Sequence, residues 1–432
     1  MGRAEDGGHL HDARRAGALT HARWHRVLPA LLVGGFLLAG CPLGHKNDGP
    51  LLRVGTSGDY PPFSLARENG VEGFDIAVAQ RFADDTGRRV QFVPFRWPDL
   101  AAALAAGRFD VAMGGITMRP ERTFAGSYTR PVVETGAVVL VRPGVARTAT
   151  DVDRRAIRLG VNAGGHLERV ARRLFSHALI QPINDNLALA AQLDMGAVDA
   201  IVMDDLEADL VLQRVTEAWR LGPLTRDHKA YLGRDPVLVA ELDAWLGDRE
   251  ADGWLTKLRA QWFGEARATP RSRAESERDA LVTLLDLRLA FMPMVAAAKE
   301  RSGLAIEDPA QEQRVLETAR ARARELGLDP ESVAALFRSQ LAAGRAVQRA
   351  YLMTPAPQRW AVEAAGLADQ LRPALARVSD AILVRAAEVM KAPERKQLLS
   401  ASVVVDGLDP MLTPATLRED IGRAVAALRP GR

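Results

Sequence analysis

From Leu51 to about Gly264, short β-type runs ("LLRVGTS", "VQFVP", "DVAMGG", "GAVVLV", "AIRLGV", "DAIVM") alternate with helical stretches such as "GFDIAVAQRFADDTG". Strands that take turns with helices need crossover connections, so this half is expected to be α/β with largely parallel sheets. After it comes the polar run "ARATPRSRAESER", with Pro270 inside it, and then the pattern changes. From Arg278 to about Leu428, Ala, Leu, Arg and Glu dominate at helical spacing, broken at Gly303, "GLDP" and "TPAP", which predicts an all-α second domain. The fragment "SASVVVDGLDP" is too short to assign. A chain of 432 residues is long for one hydrophobic core, and the expected division is 51–264, a linker over 265–277, and 278–429.

The net charge is only +3 with 26% charged residues, so no surface for nucleic acid is indicated and the expected partners are small molecules. At the N-terminus, basic residues including Arg14, Arg15, Arg23 and Arg26 precede the apolar run "VLPALLVGGFLLAG", which is short for a membrane span and reads as a signal peptide over 1–41. Its end, Leu38-Ala39-Gly40-Cys41, resembles a bacterial lipobox, which implies lipidation of Cys41 and a periplasmic protein that meets the membrane only through that anchor. Cys41 is also the only cysteine, so the exported part has neither a disulfide nor thiolate metal ligands.

The segments "TSGDYPPFS", "RWPDL", "DVAMGGITMRPER", "VNAGG", "DNLALAAQLDMGAVDAIVMDDLEADL" and "KAYL", in this order and spacing, resemble the periplasmic solute-binding proteins for amino acids, two-lobed α/β proteins that close on a ligand. Within that type II fold the likeness is closest to the cyclohexadienyl dehydratases, which convert prephenate to phenylpyruvate and arogenate to phenylalanine. The residues themselves fit a carboxylate-binding cleft. Arg122 offers a guanidinium fork, and Thr117, at the end of a buried strand, offers a hydroxyl donor. Gly164 and Gly165 in "NAGGH" let backbone N–H groups approach an anion at a helix start. An Arg is more commonly a surface ion pair, but Arg122 directly follows the strand "DVAMGGIT". Trp97 reads equally as a lid over a ligand ring or as core. Asp59 and Lys229 join the expected substrate-binding set.

In "VMDDLEADL" the resemblance implies that Asp204 takes a ligand's ammonium and that Glu207 is the general acid. Three residues apart near a helix start, the two share one face, while Asp205 and Asp209 are expected to point to solvent. Two carboxylates in one closed cleft do not both ionise cheaply, so one is expected to hold a proton. Acids that favour the helix macrodipole are the bland alternative. Two departures remove polar groups from the family pattern: Thr135 stands where the dehydratases have a Lys, and Leu167, preceded by His166, replaces an Asn.

"LVTLLDLRLAFMPMVAAAKERSGLAIEDPAQEQRVL" followed by "LGLDPESVAALFRSQLAAGRAVQ" resembles the all-helical chorismate mutases of the secreted type. Arg288 and Lys299 are eleven residues apart, three helical turns, and so share one face. The resemblance implies that Arg288 holds a carboxylate, that Lys299 and Gln348 donate to the ether oxygen of chorismate, and that Asp308 and Glu312 contact the side of the ring hydroxyl. A pericyclic rearrangement needs charge complementarity and confinement, and no nucleophile. Solvated helix positions and an N-cap at Asp308 would account for the same residues. The family's second Arg is Gln311 here, with Arg314 one turn on, and Gly344 replaces a hydroxyl residue. Arg372, Arg377 and Arg385 all compete to supply a late Arg.

The two resemblances join, because the implied product of one half is the substrate of the other: chorismate to prephenate to phenylpyruvate, with no metal or organic cofactor. The rivals are a solute-binding lipoprotein fused to a mutase, and a fusion whose mutase half has degenerated. The sequence does not define an oligomeric state.

Overall fold

A computed structural model describes residues 49–215, 217–355, 359 and 361–431. The signal peptide and Cys41 lie outside the described residues. The first half forms two lobes, each on a five-stranded sheet. In the first lobe the order is Arg89–Pro94, Leu51–Thr56, Val111–Ala112, Leu232–Gly233, Ser127–Tyr128, with the first three parallel. In the second it is Leu179–Ile183, Arg158–Asn162, Ala200–Asp204, Ala137–Val141, Trp219–Leu221, again with the first three parallel. Central strands such as Ala200–Asp204 and Ala137–Val141 are buried along their whole length, which is why they read as continuous apolar runs without alternation. The chain leaves the first lobe through Val133–Thr135 and returns through Asp227–Lys229; these two strands pair antiparallel and form the hinge. The two-lobed α/β expectation is met.

The second half is helical, as expected: Arg273–Ala290, Met292–Arg301, Pro309–Glu325, Pro330–Met353 and Arg372–Met390 carry the core, with Ala401–Gly407 and Ala415–Ala426 packed beside them. "SASVVVDGLDP" therefore contributes a helix and no strand. Two helices start on Asp-Pro pairs: Asp308 and Asp329 each cap a backbone N–H, and Pro309 and Pro330 occupy the first turn, where a missing N–H costs nothing. Leu281, Leu285, Leu289, Phe291, Phe337 and Ile382 are buried together in one core. The single helix expected to carry Arg288 and Lys299 is instead two, interrupted at Phe291. Pro293 has no N–H to continue the ladder, so the chain turns there. Both side chains nonetheless border the same cavity.

The segment 265–277, expected as a linker entering a helix, packs against the first half before that helix starts. Arg267 pairs with Asp205 at 2.8 Å, and the first helix of the second half begins at Arg273 with a Ser272–Glu275 capping box. The two halves are joined by buried ion pairs. Arg130, 2% exposed, donates to Asp243 at 2.9 Å, Glu277 at 2.7 Å and Ser276 at 3.2 Å. Arg385 completes the square, reaching Glu277 at 2.7 Å and Asp243 at 2.6 Å. Arg377 donates to the Thr123 carbonyl at 2.7 Å. Two of the three Arg considered for the helical site are thus engaged at the seam between the halves.

Candidate functional sites

In the cleft between the lobes, Tyr60, Trp97, Gly115, Thr117 and Arg122 from the first lobe face Asn162, Gly165, His166, Leu167 and Asn186 from the second, with Lys229 between them. The lobes are closed on a residual cavity of about 30 Å³, roughly the space of one water. Asp204 is fully buried at the end of its strand and caps the next helix through Leu206 N, so it precedes the helix on which Glu207 sits. Its Oδ2 lies 2.9 Å from Lys229 Nζ. That ammonium also donates to Thr117 Oγ1 at 2.9 Å and to Tyr60 OH at 3.1 Å. The returning hinge strand puts it there.

Glu207 is 4% exposed. Its Oε1 accepts from Asn186 Nδ2 at 2.7 Å, and Oε2 has no partner. Burial first, then the nearby charge of Asp204, push its pKa up to about 8, against the opposing hydrogen bond from Asn186. At neutral pH this carboxyl therefore carries its proton. Arg122 is buried, donates to the Thr117 carbonyl at 2.7 Å and lies 6.0 Å from the Trp97 ring. No carboxylate pairs with it among the described residues. Trp97 is half-buried, borders the cavity and donates to Asp59 Oδ1 at 3.1 Å.

Several expectations need correction. Asp59 does not border the cavity: its side chain holds Trp97 and its carbonyl accepts from Asn186 at 3.0 Å. Gly164 does not offer its amide to an anion, because Glu168 accepts it at 2.7 Å. What this glycine permits is close approach of the lobes. At φ +71° a Cβ would sit 2.6 Å from Pro98 of the first lobe. Asp205 is buried against Arg267 rather than solvated, while Asp209 pairs with Arg220 at 2.6 Å near the surface. Thr135 borders a different pocket, beside Asp205 and Arg226, and pairs with Asp227 on the returning hinge strand, while Lys229 of that strand borders the cleft. His166 does face the cleft, with Asp227 3.0 Å from its Nε2. Burial lowers the imidazole's pKa. Burial alone would raise that of Asp227, but His166, Lys229 and Thr225 together outweigh it and hold the carboxyl down at about 2.

Asn186, Asn162 and Tyr60 were not singled out from the sequence. Asn186 sits in a short turn capped by Asp185, and no spacing rule marks an Asn as the partner of a carboxyl 21 residues away. Tyr60 lies within "TSGDYPPFS", one of the segments that carry the resemblance, but no residue pattern gives it a role.

The helical half encloses a cavity of about 400 Å³, bordered by Arg288, Lys299, Asp308, Gln311, Glu312, Arg314, Gln340, Gly344, Arg345, Gln348 and Arg372 among others. Arg288 is 4% exposed, over the Phe337 ring at 5.6 Å, with Ser379 Oγ its polar contact at 3.3 Å. No carboxylate pairs with it among the described residues, and burial lowers its pKa to about 10. A buried guanidinium without a counter-ion, facing a cavity, is a site for an anion. Lys299 Nζ donates to the Ile306 carbonyl at 2.5 Å. Gln348 donates to the Gly344 carbonyl at 3.3 Å and leaves Oε1 unpartnered. Asp308 does two things at once: Oδ1 caps its helix through Gln311 N at 3.0 Å, and Oδ2 faces Arg372 at 3.4 Å. Of the three late Arg, Arg372 is the one at the cavity. Glu312 pairs with Arg345 at 2.7 Å, and Arg314 with the Gln311 amide at 2.8 Å, at the exposed rim. A Cβ on Gly344 would meet Met292 Sδ at 3.0 Å, so that thioether stands where a larger side chain would reach.

The fold and these cavities define the class, and comparison with known proteins agrees. Residues 52–265 match the bacterial extracellular solute-binding proteins, family 3, and residues 278–349 match chorismate mutase type II. The cyclohexadienyl dehydratase of Pseudomonas aeruginosa is 33% identical over 49% of this chain and 82% of its own length. The L-cystine-binding protein TcyJ of Escherichia coli is 28% identical over 51% of this chain and 84% of its own. Among solved structures, the ancestral amino acid-binding protein AncCDT-1, a precursor of cyclohexadienyl dehydratase, is 30% identical, with a TM-score of 0.47 over 49% of this chain and 95% of that one. The chain belongs to the cyclohexadienyl dehydratase family of solute-binding-type proteins and carries a chorismate mutase type II domain behind it.

Proposed function

We propose that the chain is an exported bifunctional enzyme that rearranges chorismate to prephenate in its helical half and converts prephenate to phenylpyruvate, water and carbon dioxide in its two-lobed half. The observation that carries the second step is Glu207, a buried carboxyl protonated at neutral pH, which lies behind the cleft lining with Oε2 unpartnered and Oε1 held by Asn186, a residue that borders the cleft. Its proton goes to the ring hydroxyl of prephenate, which leaves as water. The ring carboxylate departs as carbon dioxide and its electron pair completes the aromatic ring. Glu207 is then reprotonated from solvent when the lobes open. Arg122 and Lys229 hold the two carboxylates, and Trp97 and Leu167 wall the ring.

The first step is supported by the uncompensated Arg288 in an apolar cavity. Arg288 meets a carboxylate, Lys299 and Gln348 face the ether oxygen as it gains charge, and Arg372 supplies the late Arg. Asp308 and Glu312 lie on the side of the ring hydroxyl. As the carbon–oxygen bond breaks and the carbon–carbon bond forms, the fixed cation stabilises charge that develops only in the transition state.

Two variants test the assignment. Glu207→Gln is expected to consume chorismate and accumulate prephenate, and Lys299→Ala to convert supplied prephenate while leaving chorismate almost untouched. Unimpaired phenylpyruvate release by Glu207→Gln contradicts the acid assignment. Export followed by lipidation at Cys41 is the accompanying proposal on location. Mass spectrometry of the mature N-terminus tests it, since a cleaved, acylated Cys41 is expected and a retained leader contradicts it.

A further inference from the structure

We infer that the helical half rides with the first lobe as one body and is the stop on which the second lobe lands when the cleft closes, with Arg169 as the latch. The helical half meets the two lobes across unlike seams. Toward the first lobe the seam is packed: Met118, Phe124 and Tyr128 lie against the helical core, and the buried square of Arg130, Asp243, Glu277 and Arg385 crosses it. Toward the second lobe it is open. Cavities of about 420 and 480 Å³ lie between that lobe and the segments 361–363 and 409–414 of the helical half. The bridges across this seam include Arg169, 3.6 Å from Glu363, and Arg226, next to the returning hinge strand, which donates to the Asp406 carbonyl at 2.5 Å.

The two seams part at different cost. Opening the packed one would strip each ion of the square of one partner and bare apolar surface, so it stays shut while the lobes move. Arg169 is placed to let go. From the helix His166–Leu174 of the second lobe it pairs with Glu121 of the first lobe at 3.0 Å as well as with Glu363, and nearly half of its side chain is exposed. When it withdraws, water takes over the guanidinium, and the buried Glu121 keeps Arg119 of its own lobe. Arg267 also crosses to the second lobe, at Asp205, but Asp205 N donates to the Gly136 carbonyl beside the hinge, where a rotation moves atoms least. The helix that carries Arg169 also carries His166 and Leu167 into the cleft. Arg169 itself does not border the cleft, so it is a positioning residue: latched, it seats these two residues against the first lobe.

Electron–electron resonance distances in the full-length protein, with its only cysteine, Cys41, replaced by Ser, test this without a ligand. Val237 of the first lobe, Met195 of the second and Ala321 of the helical half are all exposed and accept a spin-labelled Cys. The pair Val237→Cys and Ala321→Cys is expected to give one narrow distance. The pair Met195→Cys and Ala321→Cys is expected to give a closed and an open component. Adding Arg169→Ala is expected to lower the closed-to-open ratio about two- to fivefold and to leave the first pair unmoved; high salt does the same to the wild type, because an exposed pair is screened. In turnover, Arg169→Ala is expected to raise KM for prephenate about two- to fivefold without lowering kcat, and to consume chorismate at the wild-type rate. A first-lobe distance as broad as the second-lobe one, an Arg169→Ala distribution identical to that of the wild type, or an unchanged KM for prephenate in a protein that dehydrates it overturns the inference. If the wild type dehydrates no prephenate, the dehydratase reading fails by itself, and the distances still decide.

Discussion

Asn186 donates to one oxygen of Glu207 at 2.7 Å and leaves the other without a partner, so a single amide fixes the orientation of the acid while burial sets its proton affinity. Because the protonated form is the acid, dehydratase kcat/KM is expected to be level near neutrality and to fall about tenfold per pH unit above about 8. An activity that instead rises through that range contradicts the role.

The hydrogen bond from Asn186 favours the ionised form and so holds the pKa of Glu207 down. Asn186→Ala is therefore expected to move the alkaline limb to higher pH while also lowering kcat, since the carboxyl loses its orienting donor. A pH profile that stays in place would make Asn186 a packing residue only.

The same shift has a stability sign. A carboxyl whose folded pKa is raised from 4.5 to about 8 contributes stability that is fully present below 4.5 and is lost as pH rises through about 8. Glu207→Gln keeps the shape and removes the titration, so its Tm is expected to exceed that of the wild type at pH 9 and to match it closely at pH 5. Calorimetry at the two pH values checks this.

In the helical cavity Gln340, 1% exposed, has no hydrogen-bond partner for either amide atom, and it lies one and two turns before Gly344 and Gln348 on one helix face. A buried unmatched amide costs about 1–3 kcal/mol. Gln340→Leu is accordingly expected to raise Tm and, if the amide is held for the substrate, to raise KM for chorismate at least tenfold. Unchanged chorismate kinetics would leave Gln340 with no part in binding.

The square of Arg130, Asp243, Glu277 and Arg385 ties the halves together in a buried setting. Arg130→Met leaves two carboxylates facing one cation, a type of change that costs about 3–5 kcal/mol. Both activities are expected to be lost together at a lower temperature, read as a single calorimetric transition moved down. Loss of dehydratase with the mutase transition unmoved would contradict the shared interface.

Both fold classes were legible, because an alternation of buried strands with helices and a sustained helical period are local patterns that packing cannot erase. Long-range pairings were not. Asp205 reads as solvated until Arg267, 62 residues later, folds back onto it. Lys229, expected in the substrate-binding set, has no readable partner in "KAYL" until the hinge strand carries it to Asp204. Helix phase left Arg372, Arg377 and Arg385 equal; the interface engages the last two and leaves the first at the cavity. The break at Phe291 had its signal in Pro293, within an apolar run that reads as one unbroken helix face.

The most direct measurement is to give the purified full-length protein chorismate as its sole substrate and to follow phenylpyruvate. The account predicts phenylpyruvate formation at a rate far above the spontaneous decay of prephenate. Chorismate consumed into prephenate that decays only at its spontaneous rate would contradict it.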